Sequence, residues 1–366
     1  MKKRLVIFHP AIAPYRIDFF NSLYDAFETC FYFEHRSPLE QSFNLEELNK
    51  RIHFPYSYLS PGLWKIKNLR IDVIKILRRE KPDIVFVSEY TILGLLVLLY
   101  KFFFNWSLRI IITCDDNLDM AKSTGFIKRC VRFLLLCNVD FVLLVNDQVK
   151  NWYEKYLSRK ARYFYFPIIQ SDDLFGKRLQ EAMPSSVKLR KLYHLENKKI
   201  LLYVGRLVRV KNVGLLLDAF DKVYRSHKNA VLIIVGDGEE RPYLQEKFKK
   251  NVDRGCVIFV GKKEGNELMA YYNLGDIFIL PSIHEPFGTV VNEALLSGCY
   301  VLCSSVAGAS CLIKENLNGN VFLSGNLEDL VTKLNDSLNS EIVSSKSKML
   351  QRYEQFVFPL IQTLRV

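Results

Sequence analysis

One pattern runs through the whole chain: short, continuously apolar runs separated by longer amphipathic segments. The runs are RLVIF (4–8), FYFEH (31–35), DIVFVS (83–88), LRIIITC (108–114) and DFVLLVN (140–146), then KILLYVG (199–205), AVLIIVG (230–236), CVIFVG (256–261), DIFILPS (276–282) and YVLCS (300–304). A strand with one wet face alternates apolar and polar residues. A strand that is apolar throughout is buried on both faces, as in a parallel sheet covered by helices. Helical periodicity fills the intervals, so the chain reads as successive βαβ units. At roughly 150 residues per domain, 366 residues predict two sheets of about five strands each rather than one of ten. The periodicity is interrupted by a proline and an Asp-Asp pair in YFPIIQSDDLFGKR (165–178). The expected division is therefore a first domain over 1–166, a second over 167–345, and a C-terminal helix over 346–366 that packs back on the first domain and bends near Pro359.

Composition excludes several classes. With 49% hydrophobic and 25% charged residues, the chain is neither disordered nor a disulfide scaffold. Its eight cysteines form no CxxC pair and sit mostly inside apolar runs, as small hydrophobes of a reduced compartment. The apolar stretch after MKKR is too short for a secretory leader, and the longest apolar segment, 91–106, is broken by Lys101. A membrane span needs about 20 predominantly apolar residues, so no span is expected. Of the net charge of +12, +8 lies in residues 1–166, where 25 basic face 17 acidic residues. Such a surplus attracts anionic partners or serves solubility. The segments WKIKNLRIDVIKILRREKPD (64–83) and GFIKRCVRF (125–133) concentrate it, the first on a single expected helix with seven cations and a tryptophan. Helices of this kind bind anionic headgroups without spanning.

The second half carries the most specific constellations. Arg206 and Lys211 follow the strand KILLYVG, at the carboxyl edge where open α/β sheets bind ligands. Two cations in one loop there suit a diphosphate, the arginine as a bidentate fork and the lysine as a point charge. In PSIHEPFGTVVNEALLSG, Glu285 precedes Pro286, Phe287 and Gly288, and a helix opens near Thr289 with Glu293 in its second turn. Gly288 permits close backbone approach, and helix-start N–H groups receive phosphate oxygens. The two glutamates are placed to address different hydroxyls of one ligand. Lys262, in VGKKEGNEL, stands at a further strand end as either a ribose- or base-side contact or a solvated lysine.

Taken in order, GRLVRVK, VGDG, FVGKK and HEPFGTVVNE resemble the donor half of glycosyltransferase family 4 (group 1), bacterial surface-polysaccharide type. The resemblance implies the GT-B fold, two Rossmann-like parallel-sheet domains facing across a cleft. It also implies retaining, hexosyl-type transfer from a UDP- or GDP-linked sugar, with no metal and no cofactor. Arg206 and Lys211 would then hold the diphosphate, Glu285 the sugar ring, Phe287, Gly288 and Thr289 the sugar and phosphates through their backbone, Glu293 the ribose, and Lys262 the nucleoside. The chain departs from the family where many members carry a Pro-Glu pair and this one has Ser310 and Cys311, and where the usual Asn-Gly is absent from YFPIIQSDD.

In the first domain FHPAIAPYRIDFFNSL (8–23) replaces a Gly-Gly loop; Arg16, opening a helix, would reach the donor phosphate or the acceptor. Where many relatives place a histidine, this chain has CDDN, so that Asp115, Asp116 or His9 serves the acceptor side. The competing account of CDDN is an Asx-type turn or cap. The expectation is a cytoplasmic enzyme, peripheral on the inner face of the cell membrane, acting on a lipid-linked or glycan acceptor in capsule or lipopolysaccharide assembly. The rivals are a nucleotide-sugar 2-epimerase on the same fold and a non-catalytic nucleotide or nucleic-acid binder. No RNA-recognition signature is present, and a binder leaves Glu285 and Glu293 without a task.

Overall fold

The computed structural model describes residues 2–36, 43–62, 69–157, 160–340 and 347–366. The chain forms two compact units, Met1–Ile168 with Glu354–Val366, and Ile169–Tyr353. Among the described residues the first holds seven strands: β1 Arg4–His9, β2 Glu28–Phe33, β3 Tyr56–Tyr58, β4 Ile84–Ser88, β5 Arg109–Cys114, β6 Phe141–Leu144 and β7 Arg162–Tyr165. They lie in the order β3-β2-β1-β4-β5-β6-β7, every pairing parallel. The second holds β8 Lys199–Val204, β9 Ala230–Val235, β10 Val257–Gly261, β11 Ile277–Leu280, β12 Tyr300–Ser304 and β13 Gly319–Phe322. Their order is β10-β9-β8-β11-β12-β13, again all parallel. Each sheet reverses its direction of growth once, at β1/β4 and at β8/β11. The loops leaving the carboxyl ends of such a pair diverge, and the crevice between them is where open α/β sheets take ligands.

Burial follows the apolar runs. All of β4, β6, β9 and β11 is buried. In the second unit Leu201, Tyr203, Leu232, Ile234, Ile277 and Ile279 pack against Phe220, which is fully buried. A phenylalanine so placed contributes about 1.5–3 kcal/mol relative to exposure.

Three strands exceed the ten expected, and all three lie at sheet edges: β3 (YSY), β7 (RYFY) and β13 (GNVF). An edge strand pairs on one side only, so it need not carry the continuous apolar run that marks a central strand, although β10, the other edge of the second sheet, does. The Asp172-Asp173 pair, expected to interrupt the helical pattern, instead opens the helix Asp172–Leu192. Ser171 caps it, and the two carboxylates face the positive end of the helix dipole.

The C-terminal helix is Glu354–Arg365, with Pro359 inside it, and is shorter than the expected 346–366. Residues before it are held by the second unit. Lys348 N–H donates to the Leu295 carbonyl and Tyr353 N–H to Asp172. The units therefore part at Tyr353/Glu354, later than residue 345. Within the first unit the helix packs beside Ile17–Ala26, Arg365 bonding the Ala26 carbonyl.

The cationic helix expected over 64–83 is Asp72–Glu80; Trp64, Lys65 and Lys67 lie outside the described residues. Arg70 is buried, donates to the carbonyls of Ser60 and Glu34, and pairs with the Glu34 carboxylate at 3.5 Å, so its charge is spent within the first unit. Among the described residues no helix is long and apolar enough to cross a membrane.

Candidate active site

In the second unit the loop after β8 is fixed before any ligand arrives. The fully buried Tyr203 donates its hydroxyl to the Arg206 carbonyl at 2.9 Å. Gly205 N–H bonds Val235, and Leu207 N–H bonds Asp237. A Cβ on Gly236, whose φ is +144°, would lie 1.8 Å from the Gly205 carbonyl oxygen, so only glycine lets these loops meet. A short 3-10 turn, Arg209–Lys211, follows, closed by Asn212 at φ +52°. Ile283 N–H then bonds the Val210 carbonyl at 2.9 Å and ties in the loop after β11.

This stitching brings Lys211 onto Glu285. Their side chains form an ion pair, with Ser282 Oγ donating to the same carboxylate oxygen at 3.3 Å. Glu285 is 7% exposed, and burying a carboxylate is costly unless it is paired and hydrogen-bonded in this way. Gly288, at φ +93°, ends the loop, and a Cβ there would stand 2.8 Å from Leu280. Phe287 is buried, its carbonyl accepting from Ala309 N–H at 2.7 Å. The helix beyond Thr289 is Val290–Leu296, seven residues long. Glu293 therefore closes its first turn, not its second, because Thr289 is the N-cap rather than the first helical residue. Its two oxygens accept from Tyr272 Oη at 2.7 Å and Gln170 Nε2 at 2.8 Å. Lys262, directly after β10, pairs with Glu264 at 2.9 Å.

In the first unit the sequence candidates converge at the β1/β4 reversal. Arg16 is 4% exposed and donates Nη2 to Asp115 at 2.5 Å, so it is not the surface arginine a helix start permits. His9 donates Nδ1–H to the Ala11 carbonyl at 2.9 Å, which leaves Nε2 as the acceptor nitrogen. Burial and the Arg16 cation push its pKa down to about 4. In CDDN the cap is Asn117, accepting from Met120 N–H; Asp115 and Asp116 are left to other partners.

Glu89, which the sequence reading did not single out, completes the group. It follows β4 with φ +61°, a left-handed conformation that costs a non-glycine residue about 1–2 kcal/mol. Its carboxyl accepts from Asp115 N–H at 2.9 Å. With His9, Tyr15, Ser88, Thr113 and Asp115 it lines a cavity of about 150 Å³. Its signal in the sequence is position alone, the first polar side chain beyond the carboxyl end of a buried strand. Glu89, Cys114 and Asp116 also bring three potential metal-ligand atoms within 4.8 Å of one another. Lys128 Nζ, 3.6 Å from Asp116 and 3.8 Å from Glu89, already supplies a positive charge there.

Desolvation, then the neighbouring Asp116 and Asp115 charges, raise the Glu89 pKa to about 7. The consequence for stability has a definite sign. Between pH 4.5 and 7 the folded state holds a proton that the unfolded chain releases, so this contribution shrinks as pH rises through the window. His9 acts oppositely: below pH 6.5 the unfolded imidazole gains a proton the buried one refuses, so stability falls toward pH 4. Glu89→Gln is therefore expected to raise the melting temperature relative to wild type more at pH 8 than at pH 5. Thermal scans across pH check this, and an equal offset at both values would contradict the raised pKa.

Residues 185–355, just under half of the chain, match the model of the family described as glycosyl transferases group 1. An uncharacterized glycosyltransferase of Methanocaldococcus jannaschii is 38% identical over 124 residues, 34% of this chain and 32% of that protein. The lipopolysaccharide 1,2-N-acetylglucosaminetransferase of Salmonella typhimurium is 30% identical over 133 residues, 34% of this chain and 35% of that one. The chain thus spans about a third of the length of these curated relatives. Among solved structures, Anabaena HepE in complex with UDP superposes with a TM-score of 0.73 over 99% of this chain and 98% of that one, at 16% identity. The protein has the GT-B fold of glycosyltransferases, and its second unit is where the group 1 likeness lies.

Proposed function

We propose that the protein is a retaining glycosyltransferase that moves a sugar from a UDP- or GDP-linked donor to a lipid-linked or glycan acceptor in cell-surface glycan synthesis. It works without a resident metal or cofactor, peripherally on the inner face of the cell membrane. The observation that carries the reading is the ion pair of half-buried Lys211 with buried Glu285 at the β8/β11 reversal, with Arg206 in the same loop. A departing nucleoside diphosphate gains negative charge as its bond to the sugar breaks, and fixed cations at that point stabilise the transition state. Arg206 offers a fork, and Lys211, with three N–H donors, can keep Glu285 while meeting a phosphate oxygen. Glu285 takes a sugar hydroxyl, and Glu293, oriented by Tyr272 and Gln170, takes the ribose. The backbone of Phe287, Gly288 and Thr289 approaches sugar and phosphates, and Lys262 the nucleoside. In the first unit Arg16 orients Asp115 beside the cavity that receives the acceptor hydroxyl. That HepE structures hold UDP and UDP-glucose supports a nucleotide-sugar donor.

Titration with UDP, GDP and their sugar conjugates, without metal, tests this. A ligand at 100 times its dissociation constant is expected to add about 2.7 kcal/mol of stability, read as a rise in melting temperature selective for one base. No shift with any nucleotide, in the presence of vesicles as in their absence, would overturn the donor site.

A further inference from the structure

Glu293 sits in a closed ring of side chains drawn from the second unit. It lies in the helix Val290–Leu296, while Tyr272 ends the helix Gly265–Tyr272. Phe175 and Arg178 belong to the helix Asp172–Leu192, and Gln170 stands two residues before it. Tyr272 Oη donates to one Glu293 oxygen at 2.7 Å, and Gln170 Nε2 donates to the other at 2.8 Å. Arg178 Nη2 donates to Gln170 Oε1 at 3.0 Å. The Arg178 guanidinium then lies 4.8 Å from the Phe175 ring centroid, and Phe175 meets Tyr272 edge to face at 6.3 Å.

Arg178 sets the direction of the bonds that reach Glu293 through Gln170. A guanidinium can only donate. Its bond therefore fixes which end of the Gln170 amide is oxygen, and the amino end is left for Glu293. A flipped amide would set N–H against N–H on one side and oxygen against oxygen on the other. Tyr272 is fully buried, and burial followed by the Glu293 charge holds its phenol protonated, well above the usual tyrosine range. Both neighbours of Glu293 are donors, so the carboxylate is kept as an acceptor.

The ring is also held in place. Gln170 is 2% exposed, and its backbone N–H donates at 2.9 Å to Asn292 Oδ1, on the residue beside Glu293. A carboxylate has about four lone-pair sites, so each Glu293 oxygen keeps room for a further donor. Two acceptor sites side by side on one fixed group match a pair of vicinal hydroxyls. A ligand with a single hydroxyl leaves one of them unmatched, and a site built to bond a hydroxyl rejects the analogue that lacks it.

We infer that Arg178 and Gln170 are positioning residues that make Glu293 a reader of the ribose diol, so that the donor is a ribonucleoside diphosphate sugar and 2′-deoxyribonucleotide donors, those of deoxythymidine diphosphate included, are refused. This rests on the reading of Glu293 as the ribose contact. It adds the class of nucleotide, and two residues that act through Glu293 rather than on the ligand.

The test is calorimetric titration of the full chain with UDP and 2′-deoxy-UDP, GDP and 2′-deoxy-GDP, and deoxythymidine diphosphate. The wild type is expected to bind the ribonucleotide of its preferred base roughly ten- to a hundredfold more tightly than the deoxy form, the worth of one hydrogen bond to a charged group. Gln170→Leu should weaken ribonucleotide binding about tenfold and leave the deoxy form almost unchanged, so that the preference collapses. Arg178→Met, at a half-buried position, frees the amide to turn and should lower the preference by a smaller factor. Circular dichroism checks the fold of both, and Arg178→Met decides alone if Gln170→Leu does not fold. Damage to the fold would weaken both ligands together, which the ratio of the two affinities separates from lost positioning. Equal wild-type affinity for ribo- and deoxyribonucleotide, a full preference kept by the variants, or a parallel weakening of both ligands overturns the inference and leaves the donor site standing. Failure to bind any nucleotide overturns the transferase reading, and the inference with it.

Discussion

Lys211→Ala is expected to lower transfer by more than about 100-fold with both sheets still folded. Two effects combine. In the proposed transfer the developing charge on the leaving diphosphate loses a cation, and Glu285, at 7% exposure, loses its ion-pair partner. Breaking a fully buried pair costs about 3–5 kcal/mol. Here the Ser282 hydroxyl remains on the carboxylate, so a smaller loss of stability is expected. The double variant Lys211→Ala with Glu285→Gln separates the two. If Lys211 served only to neutralise Glu285, the double variant would recover the rate of Glu285→Gln alone. If it faces the diphosphate, the double variant stays at least as slow as Lys211→Ala, because the cation is missing in both. Steady-state kinetics with the nucleotide sugar that titration selects decides between them. Near-wild-type rates for Lys211→Ala and Glu285→Gln alike would remove this pair from the site.

Hydrophobic periodicity revealed the central strands because a strand covered on both faces has no choice but to be apolar. It missed β3, β7 and β13, where one side is unpaired and residues such as Ser57, Arg162 and Asn320 are tolerated. Site residues followed the same logic. Arg206, Lys211 and Glu285 stand in the loops that leave the carboxyl ends of β8 and β11, where motif and topology coincide. Glu89 also follows a strand, yet belongs to no motif, and its place beside Asp115 arises only once β4 and β5 are paired. Gln170 and Tyr272, which hold Glu293, lie 123 and 21 residues away from it, a partnership that spacing along the chain cannot express. The basic surface was legible as composition but not as geometry. Arg70 and Arg132 turn inward, while the apolar face of Phe126–Leu136 turns outward.

Gly308→Ala should cut transfer by about 100-fold with a loss of stability of about 1–3 kcal/mol for an overpacked contact. The glycine opens the 3-10 turn Gly308–Leu312 after β12, where its backbone passes directly over the loop after β11. A Cβ at this position would stand 2.3 Å from the Pro286 carbonyl oxygen and 3.0 Å from Phe287 Cα. Both are backbone atoms, so no rotamer change relieves the clash, and the Pro286–Phe287 segment must retreat by about 1 Å to reach ordinary contact. Two links pin the same segment: the Ala309 N–H bond to the Phe287 carbonyl and the bridge between Glu285 and Ala307. The displacement therefore passes to Glu285, and a misplacement of this size at a positioning carboxylate is worth two orders of magnitude in rate. Gly325→Ala provides the contrast. Its φ is +72° with no atom near the position of a Cβ, so strain alone is added, away from Glu285, and only stability should fall. Comparing kcat with melting temperature for the two variants separates site geometry from folding. Equal losses of stability with wild-type kcat in both would show that the close approach of these loops does not set the position of Glu285.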